Sequence, residues 1–429
     1  MTSLRLILWI ASAAALQLVI VFGIGLWHHW QRYVSLRLRA GEGVPPTARM
    51  ESEGDDDDEP VAGMWQGYLP FKVVRRQIED DNQSVCSFYL ERADGNTSPL
   101  PGFRPGKFLT FRLELPRPDG TNEPVIRCYS LSDAPYPGQF RVSIKRVPAP
   151  EGTPFPPGRS SNHFHEHVQA GSVLSVKAPA GHFYLDRSDA PVVLIGGGIG
   201  ITPMMSMLNT CLAGQPGREI WLFYGVRNSR EVVMRAHLEA LAAAHPNFHL
   251  RLCYSNPLPG ELPGRDFQHH GRVDVLLLRM QLPIRPYHFY ICGPTPMMQT
   301  LVPALEDWGV PDSRIHFEAF GPASIKRRNA VQPQAAETVG GEGSASIMVS
   351  FARSGRQLAW QAHAHSLLDF AESNGIAIGS GCRSGACGTC QTEITAGEVA
   401  YQQSPDFDPE PGTCLPCVCV PRSNLVLEA

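Results

Sequence analysis

No excess of charge of one sign marks this 429-residue chain: 37 Lys and Arg stand against 41 Asp and Glu, a formal net charge of −4. Such a balance sets up no field for a polyanion, and no basic stretch with interleaved aromatics occurs, so nucleic acid is excluded as a partner. Periodic repeats are also lacking. The 40 glycines and 38 prolines scatter as turns, which excludes collagen-like and solenoid architectures. With 43% hydrophobic and only 18% charged residues, the chain is not disordered throughout. Cysteine, by contrast, is not scarce. There are eleven, an odd number, and four fall between Cys382 and Cys414. Clustering of that kind in a large chain reads as metal ligation before disulfides. At roughly 100–200 residues per domain, two to four domains are expected.

Residues 6–27 contain no charged side chain, and at about 1.5 Å per residue they cover the roughly 30 Å hydrocarbon core of a bilayer. A transmembrane helix is therefore expected over 4–28. The competing reading is a cleaved signal peptide, but its candidate site, Ala11-Ser12-Ala13, falls in mid-run and only Arg5 precedes the run. Arg32, Arg37 and Arg39 follow it, so the expected location is a single-pass membrane protein with its catalytic domains in the cytoplasm. Residues 29–64 include Asp55-Asp56-Asp57-Asp58-Glu59, whose carboxylates repel and resist burial, as in a flexible acidic tether. A second linker is expected over 326–344.

Three differently patterned blocks remain. Over 65–188, short β runs at 108–113, 126–131, 140–146 and 173–177 are broken by Pro and Gly, the spacing of a small antiparallel barrel. Over 189–325 the rhythm is strand then amphipathic helix. The uninterrupted apolar runs at 192–195, 220–224, 248–254 and 289–292 mark strands of a parallel sheet covered on both faces. Over 345–429 come short strands, one helix near 367–373, and a Cys-rich loop.

Cys382, Cys387 and Cys390 are spaced C-x₄-C-x₂-C, the plant-type pattern for a [2Fe–2S] cluster. Thiolates this close grip one cluster only if the backbone curls around it, and Gly381, Gly385 and Gly388 permit the positive φ and close approach required. For the fourth ligand Cys414, Cys417 and Cys419 compete. The segment from Cys417 through Pro421 to Leu427 resembles the end of plant-type ferredoxins, where the ligand Cys precedes a Pro by four residues. That resemblance selects Cys417, leaves Cys414 and Cys419 as free thiols, and implies an α+β β-grasp domain.

Arg127-Cys128-Tyr129-Ser130 sits on an expected strand and resembles the R-x-Y-S motif of the ferredoxin–NAD(P)H reductase superfamily. The resemblance implies Arg127 at the flavin phosphate, Tyr129 packed on the isoalloxazine and Ser130 near N5. A fork for an anion, a flat ring for stacking and a small hydroxyl suit those tasks. Gly158, Ser160 and Ser161 resemble the family's G-x-x-S segment, where a helix start binds the pyrophosphate. Ser143 and Lys145 fall in a stretch resembling the reductase module of flavohaemoglobins, as do residues 161–167 and 178–183. This implies FAD, whereas the phthalate dioxygenase reductase group, with the same flavin–NAD–iron–sulfur order, uses FMN. His163, His165 and His167 match no zincin spacing.

Gly198-Ile199-Gly200-Ile201-Thr202-Pro203 follows a buried run and opens a helix. Thr202 can cap that helix and Pro203 suits its first turn, leaving N–H groups aimed at a diphosphate. Pro203 replaces the third glycine of G-x-G-x-x-G, so the Rossmann fingerprint fails. The stretch instead resembles the superfamily's G-x-G-x-T-P. Cys292-Gly293-Pro294 resembles its C-G-P, whose Cys borders the nicotinamide, and Glu318 and Phe320 resemble the terminal motif over the flavin's far side. Tyr254-Ser255-Asn256-Pro257 offers no basic residue where NADPH-using relatives carry Ser-Arg, so NADH is expected; Arg227 and Arg230 are the cations that weigh against it.

Together these imply a hydride path shaped by Ser130, Cys292 and Glu318, running from NADH to FAD to [2Fe–2S]. The expected partner is an oxygenase, hydroxylase or desaturase component at the membrane. The competing readings are a quinone or general acceptor reductase and a slow redox sensor.

Overall fold

The computed structural model describes residues 64–320 and 347–429, except 118, 150, 151, 153–155, 362, 363, 365, 384, 386, 403, 404 and 406. Among the described residues no helix is long and apolar enough to cross a membrane. That finding contradicts the expected single-pass membrane location. The run at 4–28 lies outside the described residues, as do the linker at 326–344 and all but the last residue of the tether at 29–64.

The first block forms a six-stranded antiparallel sheet from β1 (Leu69–Ile78), β2 (Val85–Arg92), β3 (Phe108–Pro116), β4 (Asn122–Ser130), β5 (Phe140–Lys145) and β6 (Val173–Ala180), in the order β4-β3-β6-β1-β2-β5. The two edge strands meet at a single bridge, Leu131–Val142, which draws the ends of the sheet together. Alternation along β3 buries Phe111, Leu113 and Leu115 while Arg112 and Glu114 face out, the period-2 pattern of a half-buried strand. β1 and β2 are two strands that the sequence reading did not single out. In β1, Lys72, Arg75 and Arg76 interrupt the apolar signal, and only Phe71 and Val73 are fully buried. Helix α1 (Arg159–His167) packs Phe164 into the core edge-on to Phe88 and Phe111.

The second block is a six-stranded parallel sheet ordered β10-β9-β8-β7-β11-β12. Its strands are β7 (Val192–Gly197), β8 (Ile220–Val226), β9 (Phe248–Tyr254), β10 (His269–His270), β11 (His288–Gly293) and β12 (Ile315–Ala319). All six residues of β7 are buried, as a strand covered on both faces requires. Helices α2 (Ile201–Gly214) and α3 (Arg235–Ala244) cover one face. Helices α4 (Val275–Gln281) and α5 (Thr295–Asp307) cover the other. Strand order reverses between β7 and β11, and such a switch point opens a ligand crevice at the strand C-termini.

The third block carries a five-stranded sheet, β14-β13-β19-β15-β17, and a two-stranded one, β16-β18. The strands run from β13 (Met348–Phe351) through β14 (Arg356–Ala359), β15 (Thr392–Ala396), β16 (Val399–Tyr401), β17 (Thr413–Cys414) and β18 (Cys419–Pro421) to β19 (Leu425–Leu427). Helix α6 (Leu367–Ser373) coincides with the expected helix. Ser366 caps it, its side chain accepting from the Asp369 N–H, and Leu367, Phe370 and Ala371 enter the core.

Candidate functional site

A cavity of about 530 Å³ opens between the antiparallel sheet, the end of β12 and the Cys-rich loop. Arg127, Cys128, Tyr129 and Ser130 line it from β4, an edge strand bonded on one side only, to β3. Lys145 and Ser143 come from β5, and Gly158, Ser160 and Ser161 from the start of α1. The Tyr129 hydroxyl is 2.9 Å from Ser160 Oγ, and its ring packs edge-on to Phe111 and Phe164. Ser143 is committed elsewhere: its hydroxyl lies 2.6 Å from Ser87 Oγ and 2.8 Å from Ser132 Oγ. Arg159, which the sequence reading passed over although it sits inside the Gly158–Ser161 stretch, also lines the cavity. It donates to the Pro116 carbonyl at 3.0 Å and pairs with Glu123.

Ile199, Thr202, Glu318 and Phe320 line the opposite wall, and Phe320 is exposed. Gly198, Gly200, Ile201, Pro203, Cys292, Gly293 and Pro294 do not line this cavity; they gather where β7 and β11 end. There the two loops touch. A Cβ on Gly200 would lie 2.1 Å from the Cys292 carbonyl oxygen, and one on Gly293 would lie 3.0 Å from Gly197 Cα. The expected cap is corrected: Gly200 occupies the N-cap of α2, and the Thr202 hydroxyl donates to the Ile199 carbonyl at 3.0 Å rather than accepting from the helix. A short 3₁₀ turn at Gly198–Gly200 uses up the residues before α2 and moves Thr202 inside it.

Three elements bring Ser130, Cys292 and Glu318 together. Cys292 on β11 is in register with Glu318 on β12, and the Ser130 hydroxyl donates to Glu318 Oε2 at 3.5 Å. Burial pushes the Glu318 carboxyl up to about 8; the Ser130 hydrogen bond opposes the shift and nearby Cys382 adds to it. Burial also holds the Cys292 thiol well above its ordinary value, reinforced by the Glu318 charge. At neutral pH the trio is a neutral hydroxyl, a neutral thiol and a largely protonated carboxyl.

The Cys-rich loop is the remaining wall, through Ser380, Gly381, Cys382 and Arg383. The four expected ligands stand in two pairs. Cys382 and Cys387 exchange backbone N–H···Sγ bonds of 3.3 Å each way, and the sulfurs of Cys390 and Cys417 are 3.2 Å apart. Cys417 also contacts Cys382, joining the pairs. Among the described residues no group of three or more His, Cys, Asp and Glu is arranged to hold a single metal ion. Pairs are what a cluster needs, since each of its two irons takes two ligands. Gly385 and Gly388 take positive φ, +76° and +73°, as expected, but Gly381 does not. Gly381 instead allows close approach, since a Cβ there would meet Cys387 Sγ and Thr389 Oγ1 at 2.9 Å. The third left-handed residue is Arg383, at φ +58°, held by a fork onto both Glu372 oxygens at 2.9 and 2.6 Å. Cys414 and Cys419 are buried and touch each other.

Family models match this chain in three consecutive stretches: "Oxidoreductase FAD-binding domain" over 70–184, "Oxidoreductase NAD-binding domain" over 194–302 and "2Fe-2S iron-sulfur cluster binding domain" over 350–422. A flavohemoprotein of Halalkalibacterium halodurans is 37% identical over 277 residues, 64% of this chain and 65% of that protein. The chain thus spans just under two thirds of the length of such curated relatives. The flavohem-like FAD/NAD binding domain of nitric oxide dioxygenase from Vibrio cholerae is 31% identical with a TM-score of 0.52, covering 60% of this chain and all of that one. An intact type IV self-sufficient cytochrome P450 monooxygenase, 22% identical with a TM-score of 0.53, shares the fold over 84% of this chain and 41% of its own. The chain therefore belongs to the ferredoxin–NAD(P)H reductase superfamily: it is an electron-transfer oxidoreductase whose flavohemoprotein-like FAD- and NAD-binding module is joined to a C-terminal 2Fe-2S domain.

Proposed function

We propose that this reductase takes a hydride from NADH into FAD seated in the cavity and passes single electrons through Cys382, Cys387, Cys390 and Cys417 to a protein acceptor, an oxygenase, hydroxylase or desaturase component. The observation that carries the reading is the shared cavity, whose walls include both the Arg127–Ser130 stretch of β4 and the cluster loop at Cys382. When bound, the flavin supplies two-electron uptake with one-electron release, and the cluster carries one electron at a time. The chain supplies placement. Arg127, Lys145 and the N–H groups at the start of α1 suit the anionic end of the flavin. Ser130 and the protonated Glu318 offer hydrogen bonds at the hydride site, with no charge to repel the incoming electrons. Gly198, Gly200 and Thr202 at the mouth of α2, with Gly293 and Pro294, suit the nicotinamide dinucleotide. Module boundaries at 65–188, 189–325 and 345–429 accompany the reading.

NADH is favoured over NADPH because Arg227, the cation beside the nucleotide edge, is committed to Glu231, with Nε at 2.5 Å. Burial pushes the Glu231 carboxyl up, yet the Arg227 bonds and charge outweigh it and hold it below its ordinary value. A 2′-phosphate there would meet a carboxylate already holding the guanidinium. Steady-state reduction of ferricyanide with each nucleotide tests this; equal kcat/KM for NADPH and NADH would refute the preference. Anaerobic mixing with NADH should bleach the flavin first and the cluster afterwards, and a cluster reduced without prior flavin bleaching would refute the sequence of carriers.

A further inference from the structure

Asp133 lies three positions past Ser130, where the chain leaves β4, and it is bonded to α2 of the nucleotide domain. Its main-chain carbonyl accepts from the Ser206 hydroxyl at 2.7 Å, and its Oδ1 accepts from Asn209 Nδ2 at 2.7 Å. Ser206 is fully buried, so water does not compete for the first of these bonds. The flavin domain holds the same residue from the other side. Arg141 of β5, only 9% exposed, pairs with Asp133 Oδ2 at 3.2 Å and donates to both the carbonyl and Oγ of Ser132. The Ala134 N–H adds a bond to Oδ1 at 2.9 Å. Behind Asn209, His237 of α3 stands with Nε2 3.3 Å from Asn209 Oδ1, which leaves the amide nitrogen for Asp133. Met207, between Ser206 and Asn209 on α2, closes on the flavin domain at Gly106, where a Cβ would lie 2.6 Å from its Cε.

We propose that Asp133 is a positioning residue, clamped by Ser206 and Asn209, that sets where the dinucleotide loop at the mouth of α2 stands against the Arg127–Ser130 stretch and so aligns hydride transfer. The inference rests on the function proposed above. Both spans are short. Ser130 is three residues from Asp133, and Thr202 is four residues from Ser206 on one rigid helix, about one turn or ~6 Å. Hydride transfer is sensitive to shifts on that scale: the reacting atoms must stand about 3–3.5 Å apart, and a misplacement of ~1 Å costs roughly a hundredfold. The residue type fits the task. A carboxylate turns one oxygen to each domain, Oδ1 to Asn209 and Oδ2 to Arg141, and is fixed in both at once. Asp133, Ser206 and Asn209 do not line the flavin cavity, so their effect passes through the two loops they join.

The test is anaerobic stopped-flow reduction of the flavin by NADH in the full holo chain, resolved into a limiting rate and an apparent Kd. Ser206→Ala and Asn209→Ala should each lower the limiting rate, by about tenfold in the double variant, with the Kd for NADH unchanged within about twofold. Asn209→Asp is isosteric but sets a carboxylate against Asp133, so it should be slower than Asn209→Ala, an order that packing alone does not give. Dithionite, which needs no aligned nicotinamide, should reduce the flavin of every variant at the wild-type rate. Amide hydrogen exchange over 131–134 and 206–210, measured on the holo chain without nucleotide, should quicken in the same variants. An unchanged limiting rate in both the double variant and Asn209→Asp would overturn the inference and leave the proposed function standing. A fall that dithionite reduction shares in full would overturn it too, because the flavin site itself would then be damaged. If the double variant does not fold, Asn209→Asp and Ser206→Ala decide by the same two rates. A wild-type flavin that NADH does not bleach would instead overturn the proposed function, and the inference with it.

Discussion

Cys390 and Cys417 are 27 positions apart in the chain, yet their sulfurs are 3.2 Å apart. That proximity singles Cys417 out from Cys414 and Cys419, which contact each other instead. Cys417→Ser should therefore lose iron and the visible ferredoxin-like spectrum, whereas Cys414→Ser and Cys419→Ser retain both; full iron content in the Cys417 variant would sink the assignment. Glu318 makes a prediction in pH. Its carboxyl is held up to about 8 against an ordinary 4.5. Between those values the folded chain keeps a proton that the unfolded chain has lost, so stability falls as pH rises through the window. In the flavin-free chain, Glu318→Gln should flatten the fall of the thermal midpoint between about pH 4.5 and 8. An unaltered slope would mean that Glu318 titrates normally.

Among the elements, the entry to α2 depends on backbone proximity. The 2.1 Å approach between a hypothetical Gly200 Cβ and the Cys292 carbonyl involves main chain on both sides, so neither can rotate away. Gly200→Ala should cost about 1–3 kcal/mol or more in urea unfolding and weaken NADH binding, because α2 must shift off the switch point. Wild-type stability with unchanged nucleotide affinity would show that the loops can part freely. At the other end of the sheet, Arg218 is 2% exposed. It donates to Asp186 Oδ1 at 2.6 Å, the Ala190 carbonyl at 2.7 Å and Gln215 Oε1 at 3.0 Å. Arg218→Met leaves Asp186 without its counter-charge and should destabilise by about 3–5 kcal/mol, readable by calorimetry. A loss under 1 kcal/mol would mean that solvent already serves Asp186.

Across the whole molecule, the division of labour between hydride and single-electron steps is a matter of where the modules end. Every residue proposed for the flavin and nucleotide precedes 326, and every proposed iron ligand follows 344. A chain stopped at about residue 325 should bleach its flavin with NADH and reduce small dyes, yet fail with cytochrome c or a natural acceptor protein. Stopped-flow flavin reduction and acceptor turnover on one preparation would check this. Undiminished acceptor turnover without the third module would mean that electrons leave from the flavin, and the cluster would then be structural.

Composition and local pattern alone determined the three-block order, since strand periodicity, uninterrupted apolar runs and the C-x₄-C-x₂-C spacing are local properties of the chain. They also marked α6 and eight of the strands' centres, because each of those runs carries its own apolar signature. The charged β1 escaped that reading: only Phe71 and Val73 are fully buried there, and pairing with β2 and β6 is what makes it a strand. The cap of α2 was misassigned because the preceding 3₁₀ turn is set by contact with β11, which no local rule encodes. The membrane location rested on hydropathy of residues outside the described structure, and hydropathy measures an affinity for apolar surroundings without saying what supplies them. Only the tertiary structure brought Ser130, Cys292 and Glu318 from three strands to one point and paired the cysteines. The Ser130–Glu318 contact joins positions 188 residues apart, and no spacing along the chain can specify a distance through space.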